Sequence, residues 1–117
     1  MSKGLAFVIE DDANLVELFS EALRRADYET ESIQSGDIAL NRLRAVAPSV
    51  VVLDLHLPKV SGMDILALLR EDDRFADTRI IIASADATLA ETLHDQADLV
   101  LVKPVSFHQL RDLARRL

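Results

Sequence analysis

The 117-residue chain contains no cysteine, which excludes both disulfides and thiolate metal sites. Positive charge is scarce: 13 Lys and Arg face 20 Asp and Glu, for a net charge of −7. That balance argues against nucleic acid as a direct partner, because such binding rests on cations neutralising phosphates. No apolar run approaches the roughly 20 residues of a membrane span. The opening Met1-Ser2-Lys3-Gly4 lacks a signal-peptide core. Linkers, repeats and low-complexity tracts are absent too. With half its residues hydrophobic, the chain is expected to be a single soluble, cytoplasmic domain over residues 1–117, with no membrane partner and enough apolar material for a real core.

What is present is a series of short apolar runs, each ending in polar residues. Val50-Val51-Val52-Leu53 runs unbroken into Asp54, as a strand buried on both faces would. Asp54 then falls at the strand's carboxyl end, the edge of an open α/β sheet where ligands bind. Asp is equally at home capping a following turn, and the stretch alone does not separate the two readings. Leu5–Ile9 is a second such run, ended by Glu10-Asp11-Asp12. From Ala13, the spacing of Leu15, Leu18, Phe19, Ala22, Leu23 and Ala26 predicts an amphipathic helix with Asp12 as its cap. Tyr28–Ile33 alternates weakly and predicts a short, more exposed strand. Ser35-Gly36-Asp37 opens a second helix carrying Ala39, Leu40, Leu43, Val46 and Ala47, ended by Pro48.

Beyond a loop bounded by Pro58 and Gly62, Ile65, Leu66, Leu68 and Leu69 mark a third helix, with Glu71 to Thr78 as its exit. Arg79–Ala83 reads as a fourth strand ending at Ser84. A weaker fourth helix is expected over Thr88 to Gln96, with only Leu89 and Leu93 on a clear apolar face. Leu99–Val102 reads as a fifth strand ending at Lys103-Pro104, and Phe107, Leu110, Leu113, Ala114 and Leu117 mark a last helix. Helical crossovers between apolar strands require a parallel sheet covered on both faces. The fold class is therefore α/β, a doubly wound five-stranded parallel sheet with five helices.

In such a sheet all carboxyl ends share one edge. That edge collects Glu10, Asp11 and Asp12 from strand one, Asp54 from strand three, Ser84 from strand four and Lys103 from strand five. Strand two, ending in Gln34 and Ser35, adds nothing of note. Two unit charges about 4 Å apart interact by roughly 4 kcal/mol at an effective dielectric near 20, so clustered carboxylates call for compensation. Mg²⁺ meets the need: it prefers oxygen ligands and typically uses one or two carboxylates plus a phosphate oxygen. Asp12 is better read as the helix cap; Glu10 and Asp11 are better read as metal ligands. Lys103 is either an ion-pair partner or a counter-charge for a transient anion such as a phosphoryl group. Ser84 is either the cap of the fourth helix or a donor to that anion. A carboxylate between Mg²⁺ and an ammonium is an activated nucleophile, and aspartyl phosphates are an established product of that chemistry.

In this pattern the chain resembles, over essentially its whole length, the receiver domain of two-component response regulators. The residues that carry the resemblance are Glu10-Asp11, Val52-Leu53-Asp54-Leu55-His56-Leu57-Pro58, Ser61-Gly62, Ser84-Ala85 and Lys103-Pro104. The resemblance implies a CheY-like, flavodoxin-like sheet in the order 2-1-3-4-5. It implies that Asp54 is the phosphoacceptor, Asp11 a direct Mg²⁺ ligand, Glu10 a water-mediated one, and His56 a ligand through its backbone carbonyl alone. Ser84 and Lys103 would bind the phosphoryl oxygens, and the Lys103–Pro104 bond would be cis. The implied partners are a sensor histidine kinase or phosphotransfer protein and a downstream effector protein or domain. A homodimer through the fourth and fifth helices is compatible with the family but not legible here. The implied domain is a signalling module that catalyses only its own phosphorylation and dephosphorylation.

One position departs from the family pattern. An aromatic or His commonly stands three residues before the lysine and swings inward on activation; here it is Val100. The side chains two places beyond the acceptor and two beyond the hydroxyl, His56 and Asp86, tend in this family to tune phosphoryl lifetime. An acidic Asp86 would help position a hydrolytic water. The main alternative is a phosphorylation-independent pseudo-receiver acting as a constitutive binding module, which Val100 favours and the intact Asp54–Lys103 set opposes. A haloacid-dehalogenase-type phosphatase needs a second acid where His56 stands. A flavodoxin relative needs a phosphate loop where Glu10-Asp11-Asp12 would repel it.

Overall fold

The computed structural model describes residues 2–117. Five parallel strands, β1 (Leu5–Ile9), β2 (Glu29–Ile33), β3 (Val50–Leu53), β4 (Arg79–Ser84) and β5 (Leu99–Val102), form one sheet in the order β2-β1-β3-β4-β5. The helices are α1 (Ala13–Arg25), α2 (Gly36–Ala45), α3 (Gly62–Glu71) and α4 (Ala87–Glu91), which connect successive strands, and α5 (Phe107–Arg115), which follows β5. This is the doubly wound α/β fold and the strand order expected above, with β3 in the middle.

Successive strand residues point to opposite faces, so each apolar run feeds two cores. Ala6 and Val8, Val50 and Val52, and Ile81 and Ala83 pack with Val16, Phe19 and Leu23 of α1 and Leu110 and Ala114 of α5. Phe7 and Ile9, Val51 and Leu53, and Ile80 and Ile82 pack with Ala39 and Leu43 of α2 and Ile65, Leu66 and Leu69 of α3. Because both faces of β3 are covered, all four of its residues are buried, and none can be polar without losing its hydration. At the sheet's edge the constraint relaxes: Glu29 and Ser32 of β2 are exposed.

The fourth helix differs from expectation. It ends at Glu91, and a separate 3₁₀ turn covers His94–Gln96. Thr92 explains the break. Its hydroxyl donates to the Leu89 carbonyl at 2.7 Å, and its own N–H and that of Leu93 reach back only three residues, to Leu89 and Ala90. A side chain that claims a nearby backbone carbonyl competes with the helical ladder, and the sparse apolar spacing beyond Leu89 leaves little packing to restore it. The second helix stops at Ala45, with Val46 already extended, and a 3₁₀ turn over Asp73–Phe75 occupies the loop after α3.

Candidate functional site

Backbone hydrogen bonds between strand ends build the site. The Asp54 N–H donates to the Ile9 carbonyl at 2.9 Å, which sets Asp54 beside Glu10. The Lys103 N–H donates to the Ser84 carbonyl at 2.8 Å, which aligns the ends of β4 and β5. The Lys103–Pro104 bond is cis. Glycines hold the loop after Asp54 on both sides. A Cβ on Gly62 would run into the Asp54 carbonyl oxygen, and one on Gly36 into the Val60 carbonyl oxygen. The Gly62 N–H donates to Leu55 and the Gly36 N–H to Pro58. The sequence reading used Gly62 as a loop boundary and as part of the family pattern, without a physical role; a glycine at the first position of a helix is the signal that a backbone passes close by.

Glu10, Asp11 and Asp54 come together: each offers a carboxylate oxygen, and all three oxygens lie within 4.8 Å of one another. Asp54 is 4% exposed and Glu10 1%, whereas Asp11 faces solvent. Lys103 reaches into this group, with Nζ 2.5 Å from Glu10 Oε1 and 3.6 Å from Asp54 Oδ1. The other Glu10 oxygen accepts from the Asp12 N–H. Burial pushes the Glu10 carboxyl up to about 7, a shift the Lys103 hydrogen bond opposes without cancelling. One ammonium among three carboxylates leaves the cluster short of positive charge. Its hard oxygen donors, one of them open to solvent, fit a Mg²⁺ ion.

Other expected residues take narrower roles. Asp12 caps α1, accepting from the N–H groups of Asn14 and Leu15. The His56 N–H donates to Asp54 Oδ1 at 3.3 Å, while its side chain is exposed. The Ser84 hydroxyl is fully buried and does not cap α4; it accepts from the Asp86 N–H at 3.0 Å. The α4 cap is Asp86, whose carboxylate accepts from the Leu89 N–H at 2.9 Å. Val100 packs, partly buried, against the core on the α2–α3 side. Beside Asp11 and His56 an open cavity of about 570 Å³, lined also by Leu55, Leu57, Met63 and Leu89, adjoins the cluster. This apolar hollow had no sequence signal, because its walls come from three separate segments.

The chain is similar to known proteins in sequence and in fold. The sequence profile of the response regulator receiver domain matches residues 6–115. The DNA-binding response regulator MtrA of Mycolicibacterium paratuberculosis is 32% identical over 97 residues, covering 83% of this chain and 43% of MtrA. The transcriptional regulatory protein TrcR of Mycobacterium tuberculosis is 31% identical, covering 93% of this chain and 44% of TrcR. The chain thus spans less than half the length of these relatives. The response regulator TrrA of Thermotoga maritima, solved in complex with Mg²⁺-BeF, superposes with a TM-score of 0.83 at 26% identity, covering 99% of this chain and 98% of TrrA. No helix among the described residues is long and apolar enough to cross a membrane. Strand order, the acidic cluster at the sheet edge and the profile match over nearly the whole chain agree: this chain belongs to the response regulator receiver domain family, the signalling module of two-component systems.

Proposed function

We propose that residues 1–117 act as one phosphoacceptor domain that takes a phosphoryl group onto Asp54 from a sensor histidine kinase or a phosphotransfer protein. The observation that carries this reading is the setting of the Asp54 carboxylate. It stands at the end of the central strand, almost wholly buried, with an ammonium 3.6 Å away and two more carboxylates beside it. A structural aspartate needs none of this; a nucleophile that must accept a dianionic group needs all of it.

An Asp54 carboxylate oxygen attacks phosphorus as the P–N bond of the donor phosphohistidine breaks; the departing nitrogen keeps the bonding electron pair and is protonated from water. Lys103, now paired with Glu10 and Asp54, turns to the phosphoryl oxygens as their charge arrives. The Ser84 hydroxyl donates to another of those oxygens. Glu10, Asp11, Asp54 and the His56 main-chain carbonyl would hold Mg²⁺, with Glu10 acting through water. When bound, the ion neutralises charge on the transferring group. The domain catalyses only its own phosphorylation and dephosphorylation. It works in the cytoplasm, passes the signal to an effector protein or domain, and makes no nucleic-acid or membrane contact of its own. A homodimer through α4 and α5 belongs to the same reading.

A second reading, the constitutive binding module, is favoured by Val100, which cannot swing as an aromatic does. Phosphoramidate, a small P–N donor, separates the two. With Mg²⁺, phosphate-affinity electrophoresis is expected to show one retarded band for the wild type and none for Asp54→Asn. A wild type that never shifts, beside a control receiver that does, supports the constitutive module.

A further inference from the structure

The fully buried Ser84 hydroxyl accepts one hydrogen bond, from the Asp86 N–H, and donates none to any described residue. A hydroxyl carries one proton to give, and burying it unused is costly. On the proposed function above, a phosphoryl oxygen on Asp54 would supply the missing acceptor. Ser84 is tied in turn to α4: the residue whose N–H it holds, Asp86, is also the cap of that helix through its carboxylate and the Leu89 N–H. Two successive hydrogen bonds therefore join the acceptor pocket to the first turn of α4.

That helix is poorly secured by anything else. It has five residues, of which only Ala90 is buried, and it gives way at once to a 3₁₀ turn. A helix of that length does not hold itself in water, so its cap is a large share of what keeps it. Its partly buried Leu89 and the Leu93 just beyond it pack in the same cluster as Val100 of β5. Resting on the receiver reading above, we infer that Asp86 is the positioning residue of the switch. When the side chain of Ser84 rotates to bring its hydroxyl onto a phosphoryl oxygen, its oxygen leaves the Asp86 N–H, Asp86 shifts, and the Leu89 N–H loses its cap. The displaced first turn of α4 carries Leu89 away from Val100 and β5. In this chain the helix cap transmits what an aromatic side chain at Val100 would otherwise transmit.

The test is NMR amide exchange at Leu89 and Ala90 in Mg²⁺ alone and in Mg²⁺ with beryllofluoride. Loading of Asp54 is checked separately by intact mass after acetyl phosphate. In the wild type these amides are expected to exchange at least tenfold faster with beryllofluoride. In Asp86→Ala they are expected to be fast already and to change less than twofold. Asp86→Asn, which keeps both the N–H and a capping oxygen, is expected to respond like the wild type. Unchanged exchange in a wild type that loads Asp54 overturns the inference and leaves the receiver reading standing, as does an Asp86→Ala that still responds tenfold. A wild type that never loads Asp54 overturns both.

Discussion

Glu10 shows how one residue can be both part of the site and a strain on the fold. Its carboxyl is buried at a strand end, and burial raises it from 4.5 to about 7 despite the Lys103 ammonium beside it. The folded state therefore holds this proton more tightly than the unfolded chain does. The stabilisation from Glu10 is complete below about 4.5 and is lost as pH rises through about 7, the reverse of the usual carboxylate case. In Mg²⁺-free buffer, wild-type stability minus that of Glu10→Gln should fall between about pH 5 and pH 8, by no more than about 1.4 kcal/mol per pH unit for one proton. Urea midpoints across that range check it; a difference that stays flat or climbs would contradict the burial argument. On the proposed Mg²⁺ site the ionised Glu10 carboxylate favours the cation, so Mg²⁺ affinity should rise over the same interval.

At the scale of the element, the first turn of α1 sets the capping acid apart from the clustered acids. Asp12 accepts two N–H groups at the first turn of that helix, and Asp11, one residue earlier, faces solvent in the cluster. Asp12→Ala should cost about 1 kcal/mol, while Asp12→Asn should cost almost nothing, since Asn caps as well as Asp. Urea unfolding measures both, and Mg²⁺ titration of Asp12→Asn should give wild-type affinity within twofold. A tenfold loss would move Asp12 among the ligands. This cap was legible in the sequence because the acid stands just before the first residue of a strong helical period. The end of α4 was not: Leu89 and Leu93 keep helical spacing, but Thr92 takes the Leu89 carbonyl and the apolar face is too thin to resist.

At the scale of the whole molecule, the sheet was readable because burial on two faces leaves runs such as Val50–Leu53 no polar option, and each run stops where the sheet edge begins. The acidic cluster followed from that alone, since parallel strands deliver all their carboxyl ends to one edge. Which partners the side chains choose there was not readable. Ser84 was open between capping and anion binding; it leaves the cap to Asp86 and holds the Asp86 N–H, and Gly62 presses against Asp54 from a helix eight residues on. Such contacts depend on distances between segments, which no residue pattern records. The central claim, that this edge makes Asp54 a phosphoacceptor, is tested most directly by intact mass after incubation with acetyl phosphate, with and without Mg²⁺. One phosphoryl group gained by the wild type only with Mg²⁺, and none by Asp54→Asn, is the expected result. An unchanged wild-type mass where a control receiver is labelled, or equal labelling of Asp54→Asn, would contradict it.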